Sequence, residues 1–152
     1  MKKILPWTAV ILWMALIFYL SHQPATVSND LSTGITEVIV ETVEKVAPNM
    51  EFDIGAFNHL VRKNAHFIAY FILGILVMNA LRYSHLPLLR KVGLALLICI
   101  LYAISDEVHQ IFIPGRSGEV RDVLIDTAGA SVGIGLYLAV GRLFGRWGNR
   151  SS

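Results

Sequence analysis

The chain has 152 residues, of which 55% are hydrophobic and only 16% charged, and its mean hydropathy is +0.58. Average soluble domains carry about 25% charged residues, so this composition excludes an ordinary water-soluble domain and points to a membrane protein. A formal charge of +2 with scattered basic residues excludes a nucleic-acid surface, and a lone Cys99, set in an apolar run as lipid-facing or packing filler, excludes an internal disulfide or a cysteine metal cluster.

Four segments are long and apolar enough to cross a hydrocarbon core, which takes about 20 helical residues: Ile4 to Leu20, Ala65 to Leu81, Val92 to Ile113 and Val123 to Phe144. The first follows Lys2 and Lys3, as a signal peptide would. Its apolar stretch is longer than a signal core, however, and SHQPATVS offers no small-x-small cleavage site, so an uncleaved span is expected. The predicted fold is all-α, a polytopic four-transmembrane-helix bundle forming a single membrane domain over residues 1–152.

Residues 21–58 form the one long loop, and LSTGITEVIVETVEKV within it has helical periodicity. Leu31, Ile35, Val38, Thr42 and Val46 share one face and Glu37, Glu41 and Glu44 another, which predicts an amphipathic helix on the membrane surface or on the bundle, interrupted by Gly34 and ended by Pro48. Trp7, Trp13 and Trp147 are expected to include interfacial belt residues.

Orientation follows from charge. Lys2, Lys3, Arg82, Arg90, Lys91, Arg142, Arg146 and Arg150 fall on one side of the spans with no acid among them. The long loop carries Asp30, Glu37, Glu41, Glu44, Glu51 and Asp53 against Lys45. The positive-inside rule then places both termini in the cytoplasm and the long loop outside, in what would be a bacterial cytoplasmic membrane.

With that topology the polar residues of all four spans converge at the outer end. The first helix ends at Ser21, His22 and Gln23; the second enters with Arg62, Lys63, His66 and Tyr70; the third leaves through Asp106, Glu107, His109 and Gln110; the fourth starts at Arg121, Asp122 and Asp126, after a hairpin carrying Arg116. Helical spacing stacks Arg62, His66 and Tyr70, and puts Asp106, His109 and Gln110 on one face with Glu107 turned about 100° away. Gly129-x-x-x-Gly133 lets a neighbouring helix come close, so Asp126 is expected to face protein, because a bare carboxylate in lipid would cost several kcal/mol. Pro114-Gly115 ends the third helix and aims Arg116 back over the site.

RKNAHFIAYFILG, SDEVHQIFIPGRSGEVRDVLIDTAGASVG and the SHQP after the first span resemble the VanZ-like family, small bacterial membrane proteins named for a member linked to resistance to the glycopeptide teicoplanin. The resemblance runs from about Ser21 to Gly133, and its most specific part is DE-x-HQ-x-F-x-PGR followed by RD-x-x-x-D-x-x-G. It implies an envelope role in antibiotic resistance, with characteristic polar positions at Ser21, Gln23, Lys63, His66, Tyr70, Asp106, Glu107, Gln110, Arg116, Asp122, Asp126 and Gly129.

The residues support three readings. One is an ion-pair network that only fixes helix packing. The second is a binding site for an anionic membrane lipid, a lipid-linked cell-wall precursor or a lipoglycopeptide, gripped by Lys63, Arg116 and Arg121, with hydrogen bonds from Gln23, Tyr70 and Gln110 and orientation by Asp122 and Asp126. The third is an intramembrane hydrolase or transferase with His66 or His109 as general base and Asp106 or Glu107 as acid or orienter. A metal could use His66, Asp106, His109 and Asp126, but no recognised ligand spacing is present, so neither metal nor cofactor is assigned. A transporter is disfavoured because the inner halves of the spans, around Leu76 and Leu97, are apolar. The ligand reading is the expected one.

Overall fold

The structure, a computed structural model, describes residues 4–44 and 54–144. Lys2, Lys3, Lys45, Val46, Pro48, Glu51, Asp53, Arg146, Trp147 and Arg150, which carry part of the orientation and loop-helix arguments, lie outside the described residues. The described residues form five helices and no strand: α1 (Ile4–Ser21), α2 (Ala25–Glu44), α3 (Ile54–Leu81), α4 (Leu88–Gln110) and α5 (Val120–Leu143). α1, residues 60–81 of α3, α4 and α5 are each long and apolar enough to cross a membrane, and their outward faces carry apolar residues such as Leu12, Leu97, Leu101, Leu124 and Val132.

The helices are offset from the apolar segments for physical reasons. α3 begins well upstream of Ala65 because Arg62, Lys63 and Asn64 interrupt hydropathy without interrupting helix, all of them tolerating helical backbone. α4 ends at Gln110 rather than Ile113, because Pro114 and Gly115 demand a turn: the amides of Phe112 and Ile113 bond to the carbonyls three residues back, and Gly115 takes φ +75°, a conformation costly for any residue with a Cβ. The amide of Ala25 donates to the carbonyl of Pro114, so this turn is pinned to the start of α2.

The α3–α5 seam is the most extensive contact. A Cβ at Gly129 or Gly133 would run into the carbonyls of Phe67 or Phe71, and one at Gly74 would meet the carbonyl of Ala130, so the two backbones nearly touch. Tyr70, Leu73, Val77 and Met78 of α3 are buried with Ala95, Cys99 and Ala103 of α4 and Ala130 and Ile134 of α5. Cys99 is therefore core filler. Trp13 lies midway along α1, where its indole N–H donates to the carbonyl of Ala69 at 2.9 Å, so it joins helices rather than belonging to an interfacial belt.

α2 is the helix expected in the long loop, and it packs against α3. Its bundle-facing side is small and polar, with Ser32 and Thr36 buried, while Ile35, Val38 and Thr42 are exposed. Close approach to α3 admits small side chains, and Val38 and Ile39 are turned outward, as suits a helix that lies on the membrane surface, one of the two expected placements. Of the acidic face, the described Glu41 is exposed.

Candidate functional site

Ile4, Leu5, Asn79 and Tyr83 surround one depression, so α1 begins where α3 ends and the two run antiparallel. The end of α1, the start of α3, the end of α4 and the start of α5 consequently meet at the other end. Two cavities open there. A polar one of about 60 Å³ is lined by Lys63, Gln110, Ser117, Glu119 and Asp122, and an apolar one of about 290 Å³ lies between α1, α2 and α3 against Ile17, Leu20, Ile35, Val61 and Ala69. Arg62, His66 and Arg116 line both.

Beneath the cavities three carboxylates are withdrawn from solvent: Asp106, Glu107 and Asp126, the last wholly buried. The Ser21 hydroxyl donates to Asp106 Oδ2 at 2.8 Å and the Gln110 amide donates to the same oxygen at 3.3 Å, while Oδ1 has no hydrogen-bond partner among the described residues. Glu107 Oε2 accepts the backbone N–H of Glu119 at 2.8 Å, which puts a negative charge at the positive end of α5; Oε1 is unpartnered. Asp126 stands 3.6 Å from His66 Nδ1, beyond hydrogen-bonding distance, with neither oxygen otherwise engaged. The hydroxyl of fully buried Tyr70, one turn from His66, is also unpartnered.

The cations divide by role. Lys63 pairs with Asp122 at 3.1 Å and Glu119 at 3.8 Å. Arg116 is half-buried; among the described residues its Nη2 reaches the carbonyl of Leu20 at 3.5 Å and its Nε has no partner. Burial, then the neighbouring Arg62, push the Arg116 pKa below its ordinary value, and Asp106 and Glu107 act against that shift.

Several expected groupings change. Glu107, not Asp106, joins His66 and Asp126: one ligating atom from each of the three lies within 4.8 Å of the others. Spacing along α4 alone had set Glu107 apart, yet α5 packs on the side to which it turns. His109 leaves the cluster, stacking on Phe18 and His22 at the bundle edge with its Nε2 3.1 Å from His22 Nδ1. The four residues weighed as a metal set, His66, Asp106, His109 and Asp126, are therefore not brought together as one group. Arg121 is exposed, one helical step from inward-facing Asp122, and lines neither cavity. Gln23 turns back to donate to the carbonyl of Tyr19 and does not reach the cavities. Ser21, a characteristic polar position of the resemblance, and the Glu119 backbone hold site carboxylates, and the tertiary fold supplies Asp106 as the partner of Ser21.

These features define a class: a polytopic helical membrane protein with a polar, partly unsatisfied site at one end of its bundle. The VanZ/LLP1 family matches residues 6–143, and the chain belongs to that family. No curated protein and no solved structure matches it.

Proposed function

We propose that the protein binds an amphiphile with an anionic head and a hydrocarbon tail, and that through this binding it alters susceptibility to teicoplanin. The carrying observation is that the polar and apolar cavities share Arg62, His66 and Arg116. A phosphate or carboxylate at those arginines would give the under-partnered Arg116 a charge-assisted, bidentate partner. The apolar cavity, close to the lower end of the about 300–1,000 Å³ usual for ligand sites, would take the proximal part of a chain. In this reading the site lies in the outer leaflet of a bacterial cytoplasmic membrane, with both termini cytoplasmic, as the cluster of Arg82, Arg90, Lys91 and Arg142 at the opposite end supports.

The test is native mass spectrometry of detergent-purified protein offered anionic phospholipid, zwitterionic phospholipid or a lipid-linked cell-wall precursor. Retention of an anionic species by the wild type, lost in an Arg62→Gln, Arg116→Gln double variant, is expected. Preference between the two anionic arms identifies the source of the ligand. Equal retention of zwitterionic lipid, or none of any, would overturn the proposal.

A further inference from the structure

Three buried carboxylates at one end of a membrane bundle require compensation, since an ionised group withdrawn from water within a membrane is costly unless it is paired. Among the described ion pairs, Lys63 goes to Asp122 and Glu119, and no lysine or arginine goes to Glu107 or Asp126. Their remaining oxygens converge with the His66 imidazole from three different helices.

The spacing suits a cation better than a hydrogen bond. His66 Nδ1 and Asp126 Oδ1 are 3.6 Å apart, whereas a hydrogen bond would bring them to about 2.7–3.2 Å. Ligand atoms about 2.1 Å from a tetrahedral ion stand about 3.4 Å from each other, so the observed gap fits one edge of a coordination shell. The whole set, within 4.8 Å, needs only a small contraction to close on an ion. Glu107 is already oriented by the Glu119 amide through one oxygen, leaving Oε1 free to ligate, as outer-shell partners orient metal ligands elsewhere.

We infer that His66, Glu107 and Asp126 form a binding site for one divalent transition-metal ion of the Zn²⁺ or Mn²⁺ kind. One imidazole and two carboxylates match that borderline class better than an all-oxygen cage for Ca²⁺ or a thiolate site would. Three protein ligands leave a further coordination position, reached from the cavities that His66 lines. The inference stands on the ligand geometry and does not depend on the amphiphile reading.

The experiment is metal analysis of the full chain purified without chelator, followed by EDTA stripping and titration with Co²⁺, Zn²⁺ and Mn²⁺. One ion per chain is expected, with visible Co²⁺ bands of low-coordinate nitrogen and oxygen ligation that Zn²⁺ abolishes. Asp126→Asn, Glu107→Gln and His66→Gln should each weaken Co²⁺ binding by about a hundredfold, and Asp30→Asn on the exposed side of α2 should not. If Asp126→Asn fails to fold, partly exposed His66→Gln carries the test, because its loss of a nitrogen ligand must also shift the Co²⁺ bands. Failure of the folded, stripped wild type to take up any of the three ions at millimolar concentration would overturn the inference, as would unchanged affinity in His66→Gln. Lipid content measured on the stripped sample separates the two proposals: lipid retained by a protein that binds no ion sinks this inference and leaves the first standing.

Discussion

Arg82 and Arg116 sit at opposite ends of the bundle and are treated in opposite ways. Arg82, at the end of α3, donates to the Tyr83 hydroxyl and stacks over its ring at 4.6 Å, and that hydrogen bond pushes its pKa up. Nearby Lys91, although buried, donates to the carbonyl of Arg82 at 3.2 Å. Both of these cations find partners within the fold. Arg116 is half-buried beside another cation, and the carboxylates beneath it keep unpartnered oxygens. A lock that only fixed helix packing would resemble the first end, since an unsatisfied buried polar group costs about 1–3 kcal/mol. The difference teaches that the second end buries polar atoms for which the described residues supply no partner.

The comparison breaks outright if the two ends do not lie on opposite sides of a membrane. Cysteines at Thr42 on α2 and at His85 in the α3–α4 connection, both exposed, should differ completely toward an impermeant thiol reagent applied to intact cells. Thr42→Cys should react and His85→Cys should not, while native Cys99 stays silent in the core. The reverse pattern would put the polar site on the cytoplasmic side.

A smaller but still large effect should come from the seam that joins the ends. Gly133→Ala sets a Cβ against the carbonyl of Phe71, and a clash of this kind costs about 2 kcal/mol, or roughly 4–8 °C in Tm. Gly135→Ala meets nothing within 4 Å and should be neutral or slightly stabilising. Because the α3–α5 contact positions His66 and Asp126, Gly133→Ala should also lower ligand retention. Equal melting temperatures for the two variants would mean that the seam is looser than described.

Much of this was legible in the sequence because a bilayer leaves few choices. Apolar run length located the spans, helical direction gathered Ser21, Lys63, His66, Asp106 and Asp126 at one end, and Gly129-x-x-x-Gly133 foretold a buried Asp126. What periodicity cannot supply is the rotation of a helix against its neighbours. A helix bearing polar groups on two sides, as α4 does with Asp106 and Glu107, has two inward faces when it packs between α1 and α5. Nothing along α4 says so. The same ignorance misplaced His109, whose ring is taken by Phe18 and His22, and left the buried contacts of Ser32 and Thr36 on α2 unread, because small polar residues give no sign of a close-packed neighbour.

The smallest expected change in stability belongs to the variants that separate the two ends most sharply. Arg82→Gln removes a hydrogen bond and a cation–π contact at a partly exposed site, each worth about 0.5–1 kcal/mol, so Tm should fall by roughly 2–8 °C with teicoplanin susceptibility unchanged. Arg116→Gln removes a poorly partnered cation and relieves its repulsion with Arg62, so Tm should move by less than about 2 °C in either direction. It should nevertheless abolish the teicoplanin phenotype, measured beside vancomycin, which lacks the lipid tail. This is a double dissociation, and each arm can fail alone. A well-expressed Arg116→Gln protein with full phenotype would reduce the polar end to packing, and a fall in its Tm as large as that of Arg82→Gln would show that Arg116 is already satisfied within the fold.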